Sequence, residues 1–166
     1  IHTRRQGAVL VPDPVNLECF RRNFEHEIAD GRVVVVGKGV WSTPGKLLLR
    51  ESDLNSGGNS VIGESSGPTV EIEVTTIDSL VVELHLASVN YIKMDIEGAE
   101  REALAGARET LRKYRPRLML DAYHRPDDPV VLPEIIRQAY NGYQQVCGFC
   151  ELDGRRLIPH ALFFSP

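Results

Sequence analysis

Tyr91-Ile92-Lys93-Met94-Asp95-Ile96-Glu97-Gly98-Ala99-Glu100 reads as a strand that stops at an acidic, glycine-containing turn and then enters a helix. Tyr91, Ile92, Met94 and Ile96 give the segment β-branched and apolar strand character. Asp95, Glu97 and Glu100 fall at the strand's carboxyl end and in the first turn of the next helix. In open α/β sheets, ligands bind at that edge. Acids in a first turn also suit the positive end of the helix dipole, so Glu97 and Glu100 have an ordinary alternative role. Asp95 lies within the apolar strand in this reading, where a buried carboxylate needs a polar partner.

On either side the chain alternates strand and helix patterns. Gly7-Ala8-Val9-Leu10-Val11 and Arg32-Val33-Val34-Val35-Val36 are short apolar runs of the kind found in buried parallel strands. Between them, Leu17, Phe20, Phe24 and Ile28 form a helical stripe over residues 15–28, with Gly31 past its end. Residues 46–50 and 69–74 read as strands flanking a Ser-, Gly- and Asn-rich loop over 52–68, where mobility is expected. Asp78 is placed to cap a short helix running through Leu80 and Leu84. One long helix is expected over 99–114, with Ala103, Leu104, Ala107 and Leu111 inward, and another over 129–140. Residues 143–149 and 161–164 close the chain as strands, with a turn signal at Asp153-Gly154.

This alternation predicts an α/β fold with helices on both faces of a sheet. The sheet is expected to be doubly wound and mostly parallel, with an antiparallel edge formed by the C-terminal strands. At 166 residues the chain is the size of one domain. A net charge of −4 without a long basic run argues against a nucleic-acid surface, and no apolar run is long enough to span a bilayer. Cys19, Cys147 and Cys150 make an odd count, and the single C-x-x-C has no second Cys or His pair at metal-ligand spacing. A reducing cytoplasm is the expected compartment, and no metal is expected.

The central stretch, with Val74-Thr75-Thr76-Ile77-Asp78-Ser79-Leu80 before it and Glu102-Ala103-Leu104-Ala105-Gly106-Ala107 after it, resembles the FkbM family of S-adenosylmethionine-dependent methyltransferases. Pro12-Asp13-Pro14, Asn16, Leu17 and Asn23 fit the same pattern, as do Arg115-Pro116 and the later Ala122-Tyr123-His124. The resemblance covers about residues 8–125. It implies a Rossmann-like sheet, S-adenosylmethionine as cofactor, and a hydroxyl on a sugar or natural-product scaffold as acceptor. A small-molecule acceptor is the expected partner, and self-association stays open.

Two departures from the family pattern bear on binding. No strand and glycine-rich turn precede Gly7, so the fold is expected to lack the usual first strand. The sequence is then N-terminally incomplete, or a partner donates the strand, or the fold has repacked without it. Gly37-Lys38-Gly39 follows a strand, but the residues after it open no convincing helix, which a dinucleotide loop requires. Val11 stands where the family carries an acid that would bond ribose hydroxyls. Asp13 can substitute for that acid or simply shape the turn between Pro12 and Pro14. Weak or absent cofactor binding by these 166 residues is the consequence; adding the upstream segment should restore some of it, and Val11→Glu should then improve it further.

The resemblance assigns the catalytic roles to Asp95, Glu97 and His124. Asp95 orients the cofactor's methionine end or the acceptor, and Glu97 holds the acceptor hydroxyl or the cofactor's amino group. His124 is the candidate base, since imidazole titrates near neutral pH; a purely structural histidine is its alternative. Pro12, Asp13, Asp95 and Gly98 are the expected cofactor contacts. Lys93 is expected to pair with an acid, and Trp41 to fill core or pack against adenine. A catalytically silent binding module on the same fold is the competing reading, favoured by Val11 and the missing turn.

Overall fold

The structure is a computed structural model, and it describes residues 6–50, 59–62, 68–148, 150–154 and 156–166. The chain divides into two compact units, one from the described parts of 1–40 and 44–75, the other from 41–43 and 76–166.

In the first unit, β1 (Gly7–Leu10) pairs in parallel with β2 (Val33–Val36), Leu10 opposite Val36. Both strands form where the valine runs predict them, but they are not buried. Gly7 and Ala8 are exposed and the four β2 valines are half-buried, because among the described residues each strand pairs only with the other. The helix between them is split into α1 (Pro14–Asn23) and α2 (Glu25–Ala29). Phe24 leaves helical geometry at φ −118° and stacks on Phe20 at 4.4 Å, so the expected stripe bends instead of continuing. Asp13 caps α1 by accepting the Asn16 N–H at 2.7 Å, and Pro14 occupies the first turn, where a missing N–H costs nothing.

A mixed three-stranded sheet completes this unit. β3 (Gly39–Val40) lies parallel to β5 (Thr69–Thr75), and β4 (Gly45–Arg50) lies antiparallel on its other side. Alternation along β4 and β5 buries Leu49, Ile72 and Val74. Gly39 belongs to β3, so Gly37-Lys38-Gly39 feeds a strand and not the helix that a dinucleotide loop needs. Of the loop expected over 52–68, only residues 59–62 and 68 are described; Ser60 bridges to Arg50, and the rest of that expectation lies outside the described residues.

The second unit is organised by a four-stranded sheet in the order β6-β7-β11-β8. Its strands are β6 (Tyr91–Met94), β7 (Arg117–Asp121), β8 (Gln144–Cys147) and β11 (Ala161–Ser165). β6 and β7 are parallel, while β11 is antiparallel to both β7 and β8. The turn at Asp153-Gly154 belongs to a separate antiparallel hairpin of β9 (Cys150–Asp153) and β10 (Arg156–Pro159). Parallel and antiparallel pairs are thus mixed, with more antiparallel pairing than the alternating pattern predicts.

The helices of this unit are α3 (Ile77–Glu83), α4 (Glu100–Ala105), α5 (Arg108–Tyr114) and α6 (Asp128–Ala139). Leu104, Leu111, Leu118, Leu120, Leu132, Ile136 and Leu162 are all fully buried and form its core. The single helix expected over 99–114 is two, broken at Gly106-Ala107. The Gly106 carbonyl accepts the Asp78 N–H at 3.0 Å, and a Cβ on Gly106 would lie 2.2 Å from the Trp41 carbonyl oxygen. Trp41 itself is half-buried. Contrary to expectation, Asp78 does not cap its own helix; Thr76 does, accepting the Ser79 N–H at 2.9 Å. The Asp78 carboxylate instead caps α5, accepting the Glu109 and Thr110 N–H groups and the Thr110 hydroxyl.

Candidate active site

The strand β6 ends at Met94, so Asp95 lies just beyond it and not within it. Its side chain is 42% exposed, and the polar partner is Lys93, whose ammonium donates to Oδ2 at 3.4 Å. Asp95 thus follows the apolar strand at its carboxyl end instead of lying inside it. The backbone then turns through two left-handed residues, Glu97 at φ +54° and Gly98 at φ +91°. That conformation is ordinary for glycine and uncommon for glutamate, and such departures gather at functional sites. The turn sets Gly98 against the Cβ of His124 and the Nε of Arg125, 3.6 and 3.7 Å from where a Cβ would sit.

His124 follows β7 by three residues and arrives at the same place. Its side chain is only 7% exposed. Nε2 lies 3.8 Å from Oδ1 of Asp95 and 3.7 Å from Oε2 of Glu97. Nδ1 lies 3.2 Å from Oε1 of Glu100, off the line of a well-formed hydrogen bond. The three residues assigned catalytic roles are therefore brought together, with one donor atom from each within 4.8 Å of the others. A side-chain set with the spacing of metal ligands contrasts with the expectation of no metal. The C-x-x-C, by comparison, has both sulfurs free, with Cys147 exposed and the Cys150 thiol turned to the Gly148 carbonyl.

Glu100 is the residue that sequence reasoning left as a helix-start acid. It is fully buried, accepts the Ile96 N–H through Oε1 at 2.9 Å, and backs the imidazole. A signal for this was present: Glu100 extends the apolar face of Ala103, Leu104, Ala107 and Leu111 by one turn, so a carboxylate there points inward. Burial alone would raise the Glu100 pKa, but the His124 contact and the Ile96 N–H outweigh it and hold the group below the ordinary carboxylate value. Glu100 raises the His124 pKa in turn, against burial, and Glu97 and Asp95 add to the rise.

The surroundings are strongly acidic. Asp121, at the end of β7, has its pKa raised by burial and then by the charge of Asp95, and Lys93 reaches it at 3.7 Å. Tyr123 is 47% exposed and its ring lies between His124 and His160, at 4.3 and 5.1 Å. Behind the site, Arg101 bonds Asp127 and the buried Asp128, whose other oxygen accepts the Arg125 N–H at 2.9 Å. This ties α4 to α6 and fixes the chain that carries His124. A cavity of about 310 Å³ lies elsewhere, between α3 and α5, and contains none of these groups.

Pro12 and Asp13 belong to the other unit. Asp13 is buried there, with Oδ1 on the Asn16 N–H and Oδ2 accepting the Asn59 amide at 3.1 Å. It therefore does shape the turn, and about two of the four acceptor positions of its carboxylate are used.

An acidic turn after one strand and a histidine after its parallel neighbour thus meet in a mixed α/β fold. The chain belongs to the FkbM methyltransferase family: the Methyltransferase FkbM domain model matches residues 2–149. The crystal structure of Methyltransferase FkbM from Methylobacillus flagellatus is similar in fold, with a TM-score of 0.69 and 23% identity. The match covers 97% of this chain and 36% of that one, so the chain spans little more than a third of that protein's length. No curated protein matches the chain. Among the described residues, no helix is long and apolar enough to cross a membrane.

Proposed function

We propose that the chain is the catalytic part of an S-adenosylmethionine-dependent O-methyltransferase of the cytoplasm, acting on a hydroxyl of a sugar or natural-product acceptor. The observation that carries the reading is the convergence of Asp95, Glu97 and the buried His124 at the ends of β6 and β7. The finer fold, a Rossmann-like sheet, is part of the same proposal, and the parallel pairs β1–β2 and β6–β7 support it.

The residues present fit the cofactor. Gly98 is buried in a conformation that a side chain would strain, and it lets the turn after β6 pack against His124 and Arg125. Asp95 is exposed beside it and is assigned the cofactor's methionine end. When bound, S-adenosylmethionine supplies a methyl group on a sulfonium, which an oxygen lone pair takes in line as the thioether leaves.

The chain's own work is to place the oxygen and remove its proton. Glu97 accepts the hydroxyl hydrogen bond and orients the acceptor. Neutral His124 takes the proton on Nε2, and Glu100 stabilises the imidazolium that forms. Its raised pKa makes the base stronger and moves its working range to higher pH.

The test is transfer of a labelled methyl group by the full chain to a panel of sugar and natural-product hydroxyls. His124→Gln should lower kcat by about a hundredfold or more, as loss of a general base does. Asp95→Asn should raise KM for the cofactor. Undiminished transfer in both variants overturns the assignment.

A further inference from the structure

We propose that Asp95, Glu97 and His124 form a site for a divalent transition-metal ion of the manganese or zinc kind. Two independent observations lead there. The first is spacing. Nε2 of His124 stands 3.7 and 3.8 Å from one oxygen of Glu97 and one of Asp95. Those distances are too long for hydrogen bonds, and no pair of the three donor atoms is more than 4.8 Å apart. Ligands held about 2.1 Å from a shared ion in tetrahedral or octahedral geometry stand about 3.0–3.5 Å apart. A shift of a few tenths of an ångström brings Nε2 within that range of each carboxylate, and the two exposed carboxylates, at most 4.8 Å apart, need close by no more than about 1.3 Å to complete the set around an ion.

The second observation is an orphaned imidazole. The His124 side chain is 93% buried (7% exposed), yet neither ring nitrogen completes a hydrogen bond. A buried polar atom left unbonded is costly, and it calls for a partner. Glu100, fully buried behind the ring, draws the proton to Nδ1. The lone pair of Nε2 then faces Asp95 and Glu97. A carboxylate behind and open coordination in front is the usual setting of a metal-binding histidine.

The donor set names the class of ion. One imidazole nitrogen with two carboxylate oxygens suits manganese, iron, cobalt or zinc better than calcium, which takes oxygen ligands alone. Two negative charges and a neutral imidazole balance a dication. Asp95 and Glu97 remain 42% and 32% exposed, so further positions are open to water or an acceptor.

The inference rests on the methyltransferase reading for what the ion meets, and it changes one role within it. With an ion on Nε2, His124 is a ligand. The ion's charge then makes the acceptor hydroxyl acidic, and the proton leaves to water.

The experiment titrates manganese, followed by its electron paramagnetic resonance signal, into the full chain freed of metal by a chelator. Zinc is titrated in parallel by calorimetry. One ion per chain is expected. Asp95→Asn, Glu97→Gln and His124→Ala should each weaken binding by tenfold or more, and Glu100→Gln, which only orients the ring, by about tenfold. Asp95 and Glu97 are exposed enough that their variants should keep the wild-type melting curve. Absence of saturable binding overturns the proposal, as does binding that survives Asp95→Asn and Glu97→Gln undiminished. Binding is read without turnover, so a failed titration leaves methyl transfer standing, and failed methyl transfer leaves the titration meaningful.

Discussion

Replacing Glu100 by Gln keeps the shape of a fully buried side chain and removes its charge. Two contacts respond: the Ile96 N–H bond at 2.9 Å and the approach of His124 Nδ1 at 3.2 Å. A hydrogen bond to a charged group contributes about 1.5–3 kcal/mol, and one between neutral groups about 0.5–1.5 kcal/mol. The amide retains one acceptor oxygen, so the Ile96 bond weakens without being lost. His124 can shed its proton, so no uncompensated charge stays buried. The expected cost is therefore about 1–1.5 kcal/mol for the weakened Ile96 bond, the difference between those two ranges, with the lost attraction for the imidazole added to it.

The pH dependence of that cost follows from the two shifts. His124 has a raised pKa, so its contribution is complete below its unfolded value and is lost as pH rises through the folded one. Glu100 has a lowered pKa, so its contribution is complete above its unfolded value and is lost as pH falls through the folded one. The pair stabilises most between the unfolded values of about 4.3 and 6.5. Urea unfolding of both proteins across this range and above it, with chelator present, measures the effect. Titration of the His124 ring proton by NMR should show a lower midpoint in Glu100→Gln. An unchanged midpoint, or a destabilisation that grows with pH, refutes the idea that Glu100 holds the imidazolium.

Asp128→Ala removes a carboxylate that is 1% exposed from Arg101 and from the Arg125 N–H, and it should cost about 3 kcal/mol or more in urea unfolding. Gly106→Ala meets the Trp41 carbonyl at 2.2 Å at a backbone φ of −84°, where alanine is otherwise welcome; the clash should lower stability by about 1–3 kcal/mol, and a stabilised variant would show that the α4–α5 break relaxes. Tyr143 donates its hydroxyl to the Pro116 carbonyl at 2.9 Å, and burial pushes its pKa up to about 12. Ultraviolet titration should find a tyrosine ionising well above the ordinary value and lost in Tyr143→Phe, and stability should fall as pH passes about 10, where the unfolded chain loses that proton first.

The parts of the fold that follow from local pattern were readable in the sequence. The valine runs, the turn at Asp153-Gly154 and the apolar faces of α4, α5 and α6 each rest on spacing within one segment. So did the meeting of Asp95, Glu97 and His124, because successive parallel strands deliver their ends to one edge. The FkbM motif was legible for the same reason: its residues lie close together in the chain.

What the sequence by itself determined, then, is most of the longer strand and helix segments, the family they belong to, and which side chains stand at the ends of β6 and β7; the short β3, β9 and β10 carried no such local signal. Tertiary structure decided the rest, because contacts between distant segments outweigh local preference. Asp78 has the chemistry of a cap for its own helix, yet it lies opposite the bare start of α5, where its two oxygens satisfy three donors. Gly106 reads as one residue of a long helix, but the Asp78 N–H and the Trp41 carbonyl end it there. The valines of β1 and β2 are apolar enough for a core, but burial depends on neighbours and not on composition. Glu100 shows the division most clearly. Its place in a first turn suggests a solvated acid and its place on the apolar face an inward one; the fold decides between them by setting His124 against it, which makes it a buried charge that sets the state of the histidine.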